Sequence, residues 1–221
     1  MSNTDLAIVT GATGNLGRAV VTRLTAAGLR VASVERSSMH LGDELVCAVD
    51  LADSASVARA FAEASKRTGS LVAVVHTVGI FRGGHGVIDT PDAEFIELFQ
   101  TNVLTTLHVV QGAMKVMQPQ GRGRIAVVVS SDALLGPAER AGYAASKAAQ
   151  LRVVESAAAE AALHGIGINA ILPGTMDTPQ NRAAMPQADR SSWLQLSDVA
   201  NVLAYLVSPE SAALHGQALR L

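Results

Sequence analysis

Short apolar runs that alternate with longer helical stretches constrain this chain of 221 residues more than any other feature. The runs rich in β-branched and aliphatic residues are Leu6–Thr10, Arg30–Val34, Leu45–Val49, Leu71–His76, Arg124–Ser130, Gly167–Leu172 and Ala218–Leu221. The stretches with helical periodicity are Leu16–Ala27, Ser54–Lys66, Asp92–Met117, Tyr143–His164 and Ser197–Val207. This alternation predicts βαβ units, whose right-handed crossovers place helices on both faces of a parallel sheet. We therefore expect an α/β fold in which residues 1–221 form a single domain.

The composition excludes several classes of protein. With 49% hydrophobic and 16% charged residues, the chain is too apolar to stay disordered. Its net charge of −2 argues against a nucleic-acid-binding surface. Cys47 is the single cysteine, so no internal disulfide points to secretion, and no apolar run approaches the ~20 residues of a membrane span. We expect a cytoplasmic protein that binds neither nucleic acid nor membranes, and we expect no metal site.

A glycine-rich turn joins the first predicted strand to the first predicted helix. Its glycines are Gly11, Gly14 and Gly17. Glycines allow a tight turn and a close approach of a pyrophosphate, and the following helix offers free N–H groups. Together with the seven apolar runs, the turn predicts a Rossmann-type doubly wound parallel sheet of about seven strands that binds a dinucleotide. The contact residues expected in this turn are Gly11, Thr13, Asn15, Leu16 and Gly17.

The cofactor preference depends on Glu35, which ends the second predicted strand. A carboxylate at that point accepts hydrogen bonds from both adenosine ribose hydroxyls and repels a 2′-phosphate, which favours NAD(H). The neighbouring Arg36 can pair with a 2′-phosphate, so NADP(H) stays possible. The alternative interpretation of Glu35 is a solvated charge at the end of a strand.

Tyr143 and Lys147 form a candidate acid–base pair. They are one helical turn apart, which puts them on one helical face. A nearby ammonium lowers the pKa of a phenol, and the phenol can then exchange a proton with a substrate oxygen. Taken alone, such a pair is more often a surface pair. Ser130 and Ser131 end the most hydrophobic predicted strand, where ligands bind in open α/β sheets.

Asn102 is the last polar candidate. It lies inside an otherwise apolar predicted helix, where asparagine is disfavoured. A buried amide needs hydrogen-bond partners, so Asn102 either caps a local irregularity or holds water in a proton path.

Together, these residues resemble the short-chain dehydrogenase/reductase family over essentially the whole chain. The Tyr-x-x-x-Lys spacing of Tyr143 and Lys147 is the most specific match. The resemblance implies that Ser130, Tyr143, Lys147 and Asn102 form the active site. Members commonly place the serine 13 residues before the tyrosine, which selects Ser130 here, with Ser131 as the fallback.

The resemblance also implies further contacts with the nicotinamide dinucleotide. They are Asp50, Leu51, Gly79, Lys147, Pro173, Gly174 and Thr178. The chain departs from the family where Asn-Asn-Ala-Gly is replaced by the stretch from His76 to Gly79. We expect this replacement to remove side-chain hydrogen bonds that brace the sheet.

The irregular segment 173–196 is the predicted substrate loop. Its sequence resembles that of the quinonoid dihydropteridine reductases and their bacterial relatives. Met185 and Trp193 are apolar groups in this otherwise polar segment. They either contact the substrate or attach the loop to the domain.

The predicted function is hydride transfer between a nicotinamide dinucleotide and a small carbonyl or alcohol, or a quinonoid dihydropterin. One alternative is a 3-oxoacyl-carrier-protein reductase, and another is a non-catalytic dinucleotide sensor, since fold alone does not imply chemistry.

Self-association is expected through the helices Asp92–Met117 and Tyr143–His164, because small residues allow close helix packing. The small residues on the second helix are Ala144, Ala148, Ala158 and Ala162. A homodimer is favoured over a homotetramer, because the sequence stops at Leu221 without a longer C-terminal extension.

Overall fold

The computed structural model describes residues 5–35 and 45–221. Arg36, one of the expected cofactor contacts, lies outside these residues. Within them, the sheet has seven parallel strands: β1 Leu6–Thr10, β2 Arg30–Glu35, β3 Leu45–Ala48, β4 Leu71–His76, β5 Gly123–Val128, β6 Ile166–Leu172 and β7 Ala218–Arg220. Their order is β3-β2-β1-β4-β5-β6-β7. The predicted doubly wound parallel sheet is confirmed.

Helices cover both faces of the sheet. They are α1 Asn15–Ala26, α2 Ser54–Thr68, α3 Asp92–Leu98, α4 Thr105–Met117, α5 Ala141–Ala161, α6 Pro179–Ala184 and α7 Leu196–Leu206. Helices α1 and α7 pack into the core on one face, and α2, α4 and α5 pack into the core on the other. Coverage of both faces explains why the central strands are continuously apolar. In the described part of the chain, we find no helix with the length and apolarity needed to cross a bilayer.

The long predicted helix Asp92–Met117 is interrupted. A π-helical segment, Phe99–Leu104, separates α3 from α4. Such segments are rare and are frequently found at functional sites. Asn102 lies in this segment and is fully buried. Asn102 therefore lies at a local irregularity of the helix, as the first of its two interpretations expects.

The stretch from His76, at the end of β4, to Gly79 braces the sheet, so the expectation that it makes no bracing side-chain hydrogen bonds is wrong. The His76 ring nitrogen Nδ1 lies 2.7 Å from Thr10 Oγ1 on β1. Thr77 Oγ1 donates to the Thr10 carbonyl at 2.8 Å. Burial, together with the charge of Lys147, lowers the pKa of His76 to about 3, so this imidazole is neutral at pH 7. Histidine and threonine thus replace the family's asparagines as hydrogen-bonding groups.

Segment 173–196 contains more regular structure than its sequence indicates. It includes α6, and Met176 pairs with Leu194 in an isolated parallel bridge. Trp193 is buried, and the Arg190 guanidinium lies 5.5 Å from its ring centroid. This burial favours the interpretation in which Trp193 attaches the segment to the domain.

Two of the four small residues of α5 cannot line an interface with another subunit. Ala144 and Ala158 are buried within the chain itself. Ala148 is only partly buried, and Ala162 is exposed just beyond the end of the helix. Of the four small residues predicted to allow close helix packing between subunits, only Ala148 and Ala162 are therefore accessible.

Candidate active site

The predicted site residues gather at the carboxyl edge of the sheet. Strands β1 and β4 are neighbours in the sheet, although β2 and β3 lie between them in sequence. The strand order therefore reverses between β1 and β4, which opens a crevice at their carboxyl ends. The glycine turn follows β1, and Gly79 follows β4.

The glycine turn after β1 needs its glycines for two different reasons. Gly11 has a φ of +74°, and a Cβ there would lie 2.7 Å from Thr77 Oγ1. A Cβ on Gly17 would lie 2.0 Å from the Gly11 carbonyl oxygen. Gly14 precedes α1 and makes no side-chain cap, so the first N–H groups of the helix stay available to a ligand. This arrangement fits a pyrophosphate bound at a helix N-terminus.

Glu35 contacts the glycine turn directly. Its Oε1 accepts a hydrogen bond of 2.7 Å from the Thr13 N–H. At the start of α1, Asn15 Nδ2 donates to Gln180 Oε1 of α6 at 2.6 Å. The turn is thus held by the end of β2 on one side and by segment 173–196 on the other.

Ser130 lies beside Tyr143, and Tyr143 is in the first turn of α5. A hydrogen bond with Ser130 lowers the pKa of Tyr143, but burial outweighs it and the pKa stays above its usual value. Ser130 Oγ also accepts from the Asp132 N–H at 3.2 Å. Ser131 begins a 3₁₀ turn, and its N–H donates to the Pro173 carbonyl at 3.0 Å. The structure therefore brings Ser130 to Tyr143 and uses the Ser131 backbone to join β5 to the end of β6.

Lys147 is buried one helical turn after Tyr143. Its Nζ lies 5.8 Å from the Tyr143 ring centroid and donates to Gln150 Oε1 at 2.8 Å. Burial lowers the pKa of Lys147 to about 7. A Cβ on Gly79 would lie 3.0 Å from this Nζ, so glycine keeps the approach to the amino group open.

Asn102 joins the π-helical segment to the chain after β4 and to α5. Its Oδ1 accepts from the Ile80 N–H at 2.8 Å, and its Nδ2 donates to the Ile80 carbonyl at 3.1 Å. Nδ2 also donates to Ser146 Oγ at 3.0 Å. The buried amide is therefore bonded on both sides, and it holds the backbone next to Gly79.

The remaining predicted contacts lie at the same edge in different settings. Asp50 Oδ1 accepts from the Ala52 N–H at 2.9 Å, and Leu51 is buried. Gly174 follows β6, where a Cβ would come no closer than 3.9 Å to the Leu221 carbonyl oxygen. Thr178 Oγ1 accepts from the Asn181 N–H at 3.1 Å, so in this structure it caps α6.

Comparison with known proteins agrees with this geometry. Residues 5–189 match the family described as short chain dehydrogenase. The chain belongs to the short-chain dehydrogenase family. It is therefore an oxidoreductase that uses a nicotinamide dinucleotide.

Relatives of this dehydrogenase are similar over nearly their whole length. The 3-oxoacyl-acyl-carrier-protein reductase FabG of Escherichia coli (strain K12) is 28% identical, over 98% of this chain and 95% of the relative. Levodione reductase of Leifsonia aquatica is 26% identical, over 93% of this chain and 88% of the relative. The crystal structure of gox2181 superposes with a TM-score of 0.90 at 26% identity, covering 98% of this chain and 93% of that one.

Sequence reasoning missed two residues of this dehydrogenase's site. Phe81 packs edge-on against Tyr143, with ring centroids 4.9 Å apart. Gln150 is fully buried and accepts from Lys147. For Gln150 a signal existed, because residues three apart on a helix are neighbours and Gln150 is three residues after Lys147. For Phe81 no spacing rule could link it to Tyr143.

We expect Gly17→Ala to damage both the fold and the cofactor site. The new Cβ would overlap the Gly11 carbonyl oxygen, so the turn must shift, at a cost of about 1–3 kcal/mol in the free energy of unfolding. NADH binding should weaken as well, because the same turn approaches the pyrophosphate. Urea unfolding and quenching of protein fluorescence by NADH measure the two effects.

Gly136→Ala is the matched control, because a Cβ there meets nothing within 4 Å. It should leave both measurements unchanged. Wild-type NADH affinity and stability in Gly17→Ala would contradict the close packing of the turn.

Proposed function

We propose that this dehydrogenase interconverts a small ketone and its alcohol with NADH as the preferred cofactor and Tyr143 as the general acid and base. The observation that carries the proposal is the grouping of the partly buried Tyr143 with its buried hydrogen-bond partner Ser130 and the buried Lys147. A sensor that only binds a dinucleotide would need the glycine turn but no phenol–lysine pair.

In the direction of reduction, each residue has a separate task. A dinucleotide held by the glycine turn and Lys147 would supply the hydride that reduces the carbonyl carbon. Tyr143 gives its proton to the carbonyl oxygen, and burial, which raises its pKa, keeps the phenol protonated at neutral pH. The Ser130 hydroxyl donates a hydrogen bond to the same oxygen, with Ser131 as the fallback. Lys147, as an ammonium, favours the phenolate that remains, and Asn102 completes the proposed proton relay.

The proposed cofactor contacts follow the carboxyl edge of the sheet. We assign the pyrophosphate to the turn residues Gly11, Thr13, Asn15, Leu16 and Gly17, in keeping with the open N-terminus of α1. Glu35 is assigned to the adenosine ribose, and Asp50 and Leu51 to the adenine. The nicotinamide half is assigned to Gly79, Lys147, Pro173, Gly174 and Thr178. Arg36 is the residue through which NADP(H) would be accommodated.

An apolar group on the ketone is supported by the side chains next to Tyr143. Phe81 is 52% exposed although it packs against the Tyr143 ring. Leu134 and Leu135, in the turn that follows Ser130, are also exposed. Exposed apolar groups beside a reactive phenol suit a substrate with an aliphatic or ring substituent.

A 3-oxoacyl-acyl-carrier-protein substrate is the second candidate, supported by the likeness to the E. coli reductase. An acidic carrier protein calls for unpaired basic side chains near the site. Two arginines lie near Tyr143 in the chain or in space. Arg82 pairs with Glu97, and Arg140 pairs with Asp132. We therefore rank this candidate below a small ketone. A quinonoid dihydropterin, which the sequence of segment 173–196 suggests, has the same rank as the carrier-protein substrate.

Segment 173–196 is proposed as the loop that closes over the substrate. Its link to the phosphate turn through Gln180 and Asn15 supports a coupling between loop position and cofactor binding. We also propose a homodimer built from α4 and α5, with a tetramer as the alternative. The apolar side chains Ile96 and Leu104, exposed next to α4, support contact with a second subunit.

Tyr143→Phe should keep the fold and NADH affinity but lose about 10²–10⁴-fold in turnover, because only the proton donor is removed. Stopped-flow or steady-state absorbance of NADH with a panel of ketones measures this loss. The chain has two tyrosines, and Tyr205→Phe on α7 is the control that should retain activity. Near-normal turnover in Tyr143→Phe would refute the assigned mechanism.

Glu35→Gln should lower the preference for NADH over NADPH, measured as a ratio of kcat/KM, by about tenfold. The amide removes the charge that repels a 2′-phosphate, yet its carbonyl still accepts from the Thr13 N–H. Glu35→Ala also removes that hydrogen bond, so it should in addition weaken the binding of both NADH and NADPH. Equal use of NADH and NADPH by the unmutated protein would contradict the role of Glu35.

Hydrogen exchange of residues 175–196 tests the proposed loop. NADH with a substrate analogue should slow exchange across this segment, as expected of a gating loop. NADH alone should protect mainly the residues around Gln180, through the contact with Asn15. Unchanged exchange in a protein that turns over substrate would show that the segment is only structural.

A further inference from the structure

The Lys147 amino group is hydrogen-bonded to a glutamine that no part of the mechanism above uses. Gln150 is fully buried on α5, and its Oε1 accepts from Lys147 Nζ at 2.8 Å. Among the described residues, no carboxylate forms an ion pair with Lys147. A buried ammonium without such a partner needs strong hydrogen-bond acceptors to stay charged.

The orientation of the Gln150 amide is set by its other neighbours. Gln150 Nε2 donates to Thr106 Oγ1 on α4 at 2.8 Å and faces the Val128 carbonyl at 3.4 Å. Thr106 Oγ1 in turn donates its only proton to the Asn102 carbonyl at 2.8 Å. Because Thr106 can then only accept from Gln150, the amide oxygen must face Lys147.

We propose that Gln150 is a positioning residue that, together with Thr106, holds the Lys147 side chain in place and keeps it an ammonium for dinucleotide binding. This inference rests on the proposed function in one respect, namely that the ammonium serves to bind the dinucleotide. The effect of Gln150 on the Lys147 side chain does not depend on that function. The chain of hydrogen bonds runs from α5 through α4 to the π-helical segment, so it also ties Lys147 to Asn102.

Other titratable groups near Lys147 do not supply the missing acceptor. His76 on β4 is neutral at pH 7, since burial and the Lys147 charge lower its pKa to about 3. Its Nδ1 is bonded to Thr10 Oγ1 and its Nε2 has no hydrogen-bond partner among the described residues, so neither ring nitrogen accepts from Lys147. Tyr143 lies on the same helix, and the burial that raises its pKa keeps it protonated. Asp132 pairs with Arg140, and both groups act on Tyr143. Gln150 is therefore the acceptor whose removal should change Lys147 most.

The test is a direct titration of Lys147 in the cofactor-free protein. The chain has three lysines, Lys66, Lys115 and Lys147, and the first two are exposed. Carbon-13 NMR of lysine labelled at Cε therefore resolves one buried lysine, whose pKa should lie near 7. In parallel, the NADH dissociation constant is measured from pH 5 to pH 9.

Gln150→Leu should lower the pKa of Lys147 by about one to two units, because a charge-assisted hydrogen bond is lost. NADH binding at pH 7 should then weaken about tenfold, and affinity should fall at a lower pH than in the wild type. Gln150→Glu should raise the pKa of Lys147, because the new carboxylate is an opposite charge. Thr106→Val should act like Gln150→Leu but more weakly, because the amide loses its anchor.

Gln120→Leu is the matched control at the opposite end of the sheet. Gln120 also donates to backbone carbonyls, those of Leu71 and Val116, so the same chemical change occurs far from Lys147. It should leave the Lys147 titration unchanged.

A folded Gln150→Leu protein with a wild-type Lys147 titration would overturn the inference. If that variant does not fold, an unchanged titration in both Gln150→Glu and Thr106→Val overturns it equally. Failure of the unmutated protein to bind NADH or NADPH, or to reduce any ketone, would refute the proposed function, while the NMR titration still decides the role of Gln150.

Discussion

A lysine amino group buried at the end of a parallel sheet is the constraint around which this site is organised. In the proposed function Lys147 keeps a proton in a place where burial favours the neutral amine. Three features act on that problem: the Gln150 amide that accepts from Nζ, the neutral state of His76, and the open approach past Gly79. The interrupted helix is part of the same arrangement, because the π-helical segment turns Asn102 toward the backbone beside Gly79.

Close backbone approaches are the second constraint. Gly17 leaves space in which the Gly11 carbonyl lies directly against α1, and Gly11 itself takes a left-handed conformation against Thr77. These contacts bring the end of β1, the start of α1 and the end of β4 into one turn. Thr10 belongs to the same region, where His76 and Thr77 bond to it from the neighbouring strand. His76 and Thr77, which stand where the family has asparagines, thus supply hydrogen bonds that join the end of β4 to β1.

Much of the fold followed from periodicity and from turn chemistry. The alternation of apolar runs and helical stretches predicted all seven strands within a few residues, most clearly the central strands, which are buried on both faces. The Tyr143–Lys147 spacing predicted two side chains on one helical face, which depends only on helix geometry. Errors arose where local pattern competes with packing. The stretch Asp92–Met117 has an unbroken helical pattern, yet Asn102 bonds to Ile80 and the helix is interrupted there.

The sequence by itself determined the order of the elements, the glycine turn and the helical face shared by Tyr143 and Lys147, because these depend on neighbours within one or two turns of chain. The family spacing selected Ser130 over Ser131, and only the tertiary structure shows that Ser130 is the serine bonded to Tyr143, because that contact joins the chain after β5 to α5. The tertiary structure also decided that Trp193 is buried, that Glu35 bonds to Thr13, and that Gln150 faces Lys147 rather than solvent. Those contacts join elements far apart in sequence, or depend on which face of a helix is covered, and no local spacing encodes them.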